Sequence, residues 1–141
     1  MSKQSKIDSM VETARKSGFS LDKLDEIATS DNRVFVAAAV CETSDMLSCG
    51  GFEMLIENEL DLDSLSVCYS RIGMSEFSAI VSEIQRIDPS TPDTPTYEEL
   101  EQVLEEPDGY EIIRGINQQY YQLLQDDKLL NLVSSFLKIE D

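Results

Sequence analysis

The chain has 141 residues, enough for one domain to close a core without metals or disulfides. Eleven Lys and Arg stand against 28 Asp and Glu with no His, a formal net charge of −17. That charge repels phosphates, which argues against a direct grip on nucleic acid or anionic membranes, and the missing His removes the commonest general base and metal ligand.

Helical spacing dominates the apolar pattern from the start. Ile7, Met10, Val11 and Ala14 step by three and four, with Gly18 as the stop. Ser20 is placed to cap a short helix with Leu21, Leu24, Ile27 and Ala28, and Asp31 or Asn32 to cap a longer one reaching about Leu47. The run Val34–Cys41 is apolar almost all round, which predicts a central helix. Gly50-Gly51 should break it, with Phe52, Leu55 and Ile56 starting the next. Asp63 or Ser64 is placed to cap Leu65–Arg71, which Gly73 would end, and Ser75 to cap the stripe Phe77, Ile80, Val81, Ile84 and Ile87. Asp88–Pro95 holds three prolines and reads as a surface loop, so residues 88–96 form a proline-rich connection.

Thr96 and Glu99 make a capping box that opens a helix bearing Leu100, Val103 and Leu104. Pro107-Asp108-Gly109 should turn the chain into about four turns of helix carrying Ile112, Ile113, Ile116, Tyr120, Leu123 and Leu124. Asp126 or Asp127 then begins the last helix, with Leu129, Leu130, Val133, Phe136 and Leu137. No stretch alternates with period two for long. The expectation is a single all-α domain over residues 1–141, compact, with about seven to eight helices.

Specific chemistry finds little footing. Cys41, Cys49 and Cys68 are too far apart for a zinc site, and no His completes one. They read as reduced, packed thiols of a cytoplasmic protein, consistent with a polar N-terminus that lacks a signal-like apolar segment. Asp61-Leu-Asp63 resembles the start of a calcium loop but lacks its glycine and closing glutamate. No serine lies in a nucleophile elbow, and no glycine loop is built to cradle phosphate. The expectation is a protein that is not an enzyme and uses no cofactor or metal; a hydrolase with a carboxylate-lined cleft is the weaker rival.

The charge is unevenly distributed. Residues 1–47 carry six basic and eight acidic groups, residues 48–109 two against fifteen, and residues 110–141 three against five. The middle stretch therefore holds most of the imbalance. Glu53, Glu57, Glu59, Asp61 and Asp63 precede one helix; Glu98, Glu99, Glu101, Glu105, Glu106 and Asp108 run along another. Helical spacing puts Glu98, Glu101 and Glu105 on one stripe, each about 5 Å from the next along the axis. A globule of this size is about 35–40 Å across, and duplex DNA of that length carries about twenty phosphates. Solubility alone needs a net charge of only about 2 to 8. The excess points to a partner-facing anionic surface made of Glu53, Glu57, Glu59, Asp61, Asp63, Glu98, Glu101, Glu105, Glu106 and Asp108.

Gly50-Gly51-Phe52-Glu53 after a helix, Arg71-Ile72-Gly73 followed by Glu76-Phe77, and Asn117-Gln-Gln-Tyr120-Tyr121 before the last helix occur in an order and spacing that resembles the small bacterial DNA-mimic protein family. These elements span roughly residues 40–138; residues 1–30 carry no part of the resemblance, and Ser48 and Cys49 stand where the family pattern has asparagines. The resemblance implies an all-α domain able to form a homodimer, with carboxylates laid out like phosphates. It implies a basic partner, such as a helix-turn-helix regulator, kept off DNA. Gly50, Gly51, Phe52, Gly73 and Tyr120 would be structural: a tight turn, a core plug and a helix stop. An immunity protein that neutralises a cationic toxin such as a nuclease is the alternative, since acidic patches steer that encounter as well.

Overall fold

The computed structural model describes residues 2–87 and 93–139, and among these it contains eight α-helices and no strand. Helix α1 (Lys3–Lys16) is capped by Ser2, whose hydroxyl accepts the Ser5 N–H, and buries Ile7, Val11 and Ala14. It stops where expected, at Gly18. A 3₁₀ turn (Leu21–Lys23) capped by Ser20 leads into α2 (Leu24–Thr29), which buries Leu24, Ile27 and Ala28.

Asn32 caps α3 (Arg33–Glu57), and Val36–Val40 in its first turns are at most 1% exposed. This is the central helix that the apolar run predicts: α3 touches α1, α2, α4, α6, α7 and α8. The break is confined to Gly51 (φ 68°, ψ −167°), and helix continues up to Gly50, past the expected end near Leu47. Only Gly51 takes a backbone conformation that side chains disfavour, so one residue suffices to redirect the axis.

Helix α4 (Leu62–Arg71) corrects the expected cap. Asp61, not Asp63 or Ser64, is the N-cap, and its carboxylate accepts the Ser64 N–H and O–H. The Asp61 carboxylate accepts two donors from Ser64, so the helix starts three residues earlier. Gly73 ends it. Helix α5 (Glu76–Gln85) begins after Ser75, whose side chain makes no capping bond. Of the expected proline-rich loop 88–96, residues 88–92 lie outside the described residues; Pro95 is buried.

The Thr96–Glu99 capping box is formed reciprocally at the start of α6 (Tyr97–Glu105). Pro107-Asp108-Gly109 does not turn the chain. Proline suits the first helical position, where its missing N–H costs nothing, so Pro107 opens α7 (Pro107–Leu123) and Glu106 alone makes the corner. Gly109 is needed for packing there, because a Cβ would stand 2.0 Å from the Val103 carbonyl oxygen of α6. A second 3₁₀ turn (Gln125–Asp127), with Asp126 and Asp127 both left-handed, leads into α8 (Lys128–Leu137), which Asp127 precedes without a side-chain capping bond. No described helix is long and apolar enough to cross a membrane.

Four rings from four segments meet at the centre. Tyr69 and Phe77 stack at 3.8 Å, Phe52 lies 5.7 Å from Phe77, and Tyr120 meets all three edge-on. All four are fully buried. Their hydroxyls are satisfied within the core: Tyr120 donates to Ser44 Oγ at 2.8 Å, and Tyr69 Oη lies 3.1 Å from Thr43 Oγ1. Burial pushes both phenols above their ordinary pKa, so they stay neutral donors. Arg71 donates to the carbonyls of Ala28 and Ser30, closing the C-terminus of α2.

Candidate partner-binding face

The geometry begins at Gly51. Its kink frees the Phe52 N–H from the helical ladder, and Asn117 of α7 takes it, Oδ1 accepting at 3.0 Å. The same amide donates from Nδ2 to Glu53 Oε1 at 2.8 Å. One side chain thus seats Phe52 in the core and aims Glu53 outward. Any Cβ on Gly51 would stand 2.6 Å from Asn117 Nδ2, so the glycine and the amide fit only each other.

Glu57 follows Glu53 by one turn and lies along the same edge. The capping box fixes the start of α6 opposite, placing Tyr97 at the first helical position and Glu101 one turn on. The half-exposed Tyr97 phenol is held above its ordinary pKa by the negative field of Glu57 first, with Glu101 and Glu53 adding to it. Two acidic stretches remote in sequence therefore converge on one tyrosine. No ion pair among the described residues engages Glu53, Glu57, Glu98, Glu101 or Glu105.

Beside Glu53 a groove of about 300 Å³ runs along α7, lined by Leu104, Tyr110, Ile113, Arg114, Asn117, Gln118 and Tyr121. Tyr110 is 54% exposed and Tyr121 42%. Tyr121 is nevertheless anchored, its hydroxyl donating to the Leu47 carbonyl at 2.9 Å.

The remaining expected carboxylates divide. Glu98 and Glu105 are exposed along α6, and Glu59, in a left-handed conformation at the end of α3, borders a crevice with Thr94, Pro95, Thr96 and Tyr97. Glu106 makes the corner before α7, and Asp108 sits in its first turn, where an acid favours the helix dipole. Asp61 and Asp63 are exposed, each with a hydrogen bond of its own. Asp61 is spent on its cap, and Asp63 accepts from Gln85 of α5 at 2.8 Å in the seam between α4 and α5.

A second acidic group went unread in the sequence. Asp8 and Glu12 of α1 face Glu42 and Asp45 of α3, and Arg15 pairs with both Glu12 and Glu42. Asp45 is held above the ordinary carboxylate range by burial first, then by Asp8 and Glu42, with Arg15 opposing. Burial and the same acids push the Cys41 thiol up to about 12, and burial lifts Cys68 to about 11. Both are poor nucleophiles at neutral pH. Cys49, expected to be packed, is exposed. Among the described residues no three His, Cys, Asp or Glu side chains are grouped as metal ligands would be.

The i, i+3 and i, i+4 spacings of Asp8/Glu12 and Glu42/Asp45 could have signalled the second group. The exposed tyrosines carried no such signal, because aromatic residues at helical spacing read as core. No family model, curated protein or solved structure matches this chain.

Proposed function

We propose that this chain is a non-enzymatic, cytoplasmic acidic protein that binds a basic, DNA-binding protein through carboxylates standing in for phosphates, and so modulates that partner's access to DNA. The resemblance to the small bacterial DNA-mimic family points the same way. The observation that carries the reading is the gathering of Glu53, Glu57 and Glu101 around Tyr97 with no ion pair to neutralise them. Like charges held that close raise the free energy of the isolated chain, and an incoming cationic surface relieves them.

The test uses α6. Glu98, Glu101 and Glu105 are exposed, and changing all three to Lys should alter folding stability by no more than about 0.5 kcal/mol, as for other surface changes. A partner captured from native lysate at low salt and eluted by a salt step should lose at least about tenfold in affinity for the triple-Lys variant, the scale of several lost charge pairs. Duplex DNA should compete with the protein for that partner. Undiminished binding of the triple-Lys variant, or a ternary complex with DNA, overturns the reading.

A further inference from the structure

We infer that the groove between the distal part of α3, α6 and α7 takes arginine side chains of the basic partner, by stacking on tyrosine faces beside carboxylates. This rests on the reading above and adds a chemical preference to it. The acidic groups alone would attract any cation. What distinguishes this face is that Tyr110 and Tyr121, both more than a third exposed, line the groove together with Glu53 and Asn117, while Tyr97, also more than a third exposed, borders the neighbouring crevice in the field of the same Glu53.

A guanidinium is planar, weakly hydrated and forked, so it can lie against a tyrosine ring while its N–H groups reach a carboxylate. An ammonium is a compact, strongly hydrated point charge that gains less from the ring. Tyr97 stands exposed at the start of α6 in the field of Glu57, Glu101 and Glu53, so ring and carboxylates occur together. Along α7, Tyr110 and Tyr121 share a stripe about 16 Å long, the span of about five extended residues. The groove between them holds Glu53 with its bound Asn117. An extended segment carrying arginines is therefore matched to it in charge and length.

Other occupants fit worse. Nucleic acid meets the same negative field. A second copy placed face to face would set Glu53, Glu57 and Glu101 against their own equivalents. Among the described residues Arg114 is the one cation lining the groove, and it opposes a cationic occupant.

The test compares octa-arginine with octa-lysine binding to the full chain at low salt, read by fluorescence anisotropy. Octa-arginine should bind about fivefold tighter, the size expected for stacking on exposed rings. Tyr110→Leu, at an exposed ring with no side-chain hydrogen bond among the described residues, should bring octa-arginine down toward the octa-lysine level and leave octa-lysine unchanged. Tyr97→Leu should act in the same direction. Arg114→Gln should tighten both peptides. Equal affinity for the two peptides, or equal losses for both in Tyr110→Leu, overturns the arginine inference while leaving a general anionic surface standing. An undiminished triple-Lys variant with intact peptide selectivity overturns the mimic reading alone.

Discussion

Helix α3 carries two acidic regions, and they handle their charge in opposite ways. In its proximal half, Glu42 and Asp45 meet Asp8 and Glu12 of α1, and the exposed Arg15 of α1 pairs with Glu12 and Glu42. In its distal part, Glu53 and Glu57 meet Glu101 of α6 with a tyrosine between them and no ion pair. The first is a seam in which one arginine offsets part of the charge of four carboxylates. The second has no ion pair among the described residues. Density of charge alone therefore does not distinguish the two regions; an ion pair across helices in the first, and exposed rings without an ion pair among the described residues in the second, do.

The comparison fails most completely if the distal region loses its geometry. Gly51→Ala forces a side chain onto a positive φ and into Asn117, and should destabilise the fold by about 3 kcal/mol, combining backbone strain with overpacking. Urea unfolding measures it. A loss under about 1 kcal/mol, within ordinary mutational scatter, would show that the kink is not what aims Glu53.

Asn117→Ala probes the same region more gently. It orphans the Phe52 N–H and frees Glu53, at a cost of about 1–3 kcal/mol for the unsatisfied donor. Amide exchange at Phe52 should quicken in step, while amides in the α1–α3 seam keep their wild-type protection. Uniform quickening would mean the two regions unfold as one and the contrast between them is only electrostatic.

The smallest effect sharpens the other side. Asp45 has a folded pKa raised above its unfolded value, so its contribution to stability is fully present below about pH 4, the unfolded carboxylate value, and is lost as pH rises through the folded value. Asp45→Asn should therefore stabilise the protein at neutral pH by about 0.5 kcal/mol or less, a surface-sized effect. The gain should vanish as pH is lowered through that window. Thermal unfolding at several pH values reads it, and a gain independent of pH would remove the carboxylate cluster as its cause.

Much of the fold was legible because its signals are local. Apolar spacing of three and four, the Thr96–Glu99 box, and Gly18 and Gly73 as stops are decided within one turn of helix, so sequence alone determined an all-α chain with those boundaries. The misread elements are the ones where two local signals compete. Pro107 reads both as the end of one helix and as the start of another; it suits the first position of α7, and Gly109 lets α6 lie against that turn. Asp61 and Ser64 both suit a cap, and the carboxylate, able to accept two donors from the turn, took it.

Sequence also determined the total charge and its concentration in residues 48–109. Only tertiary structure decided which carboxylates share a face. Glu53 and Glu101 lie on separate helices, and their meeting depends on the Gly51 kink, the Asn117 amide that clamps it, and the packing of α6 against α3 and α7. Each of those is a contact between distant segments, and a charge pattern read along the chain holds no information about angles between helices. The same holds for Asp63, whose partner Gln85 lies on α5, a helix that the charge pattern along the chain does not bring to it.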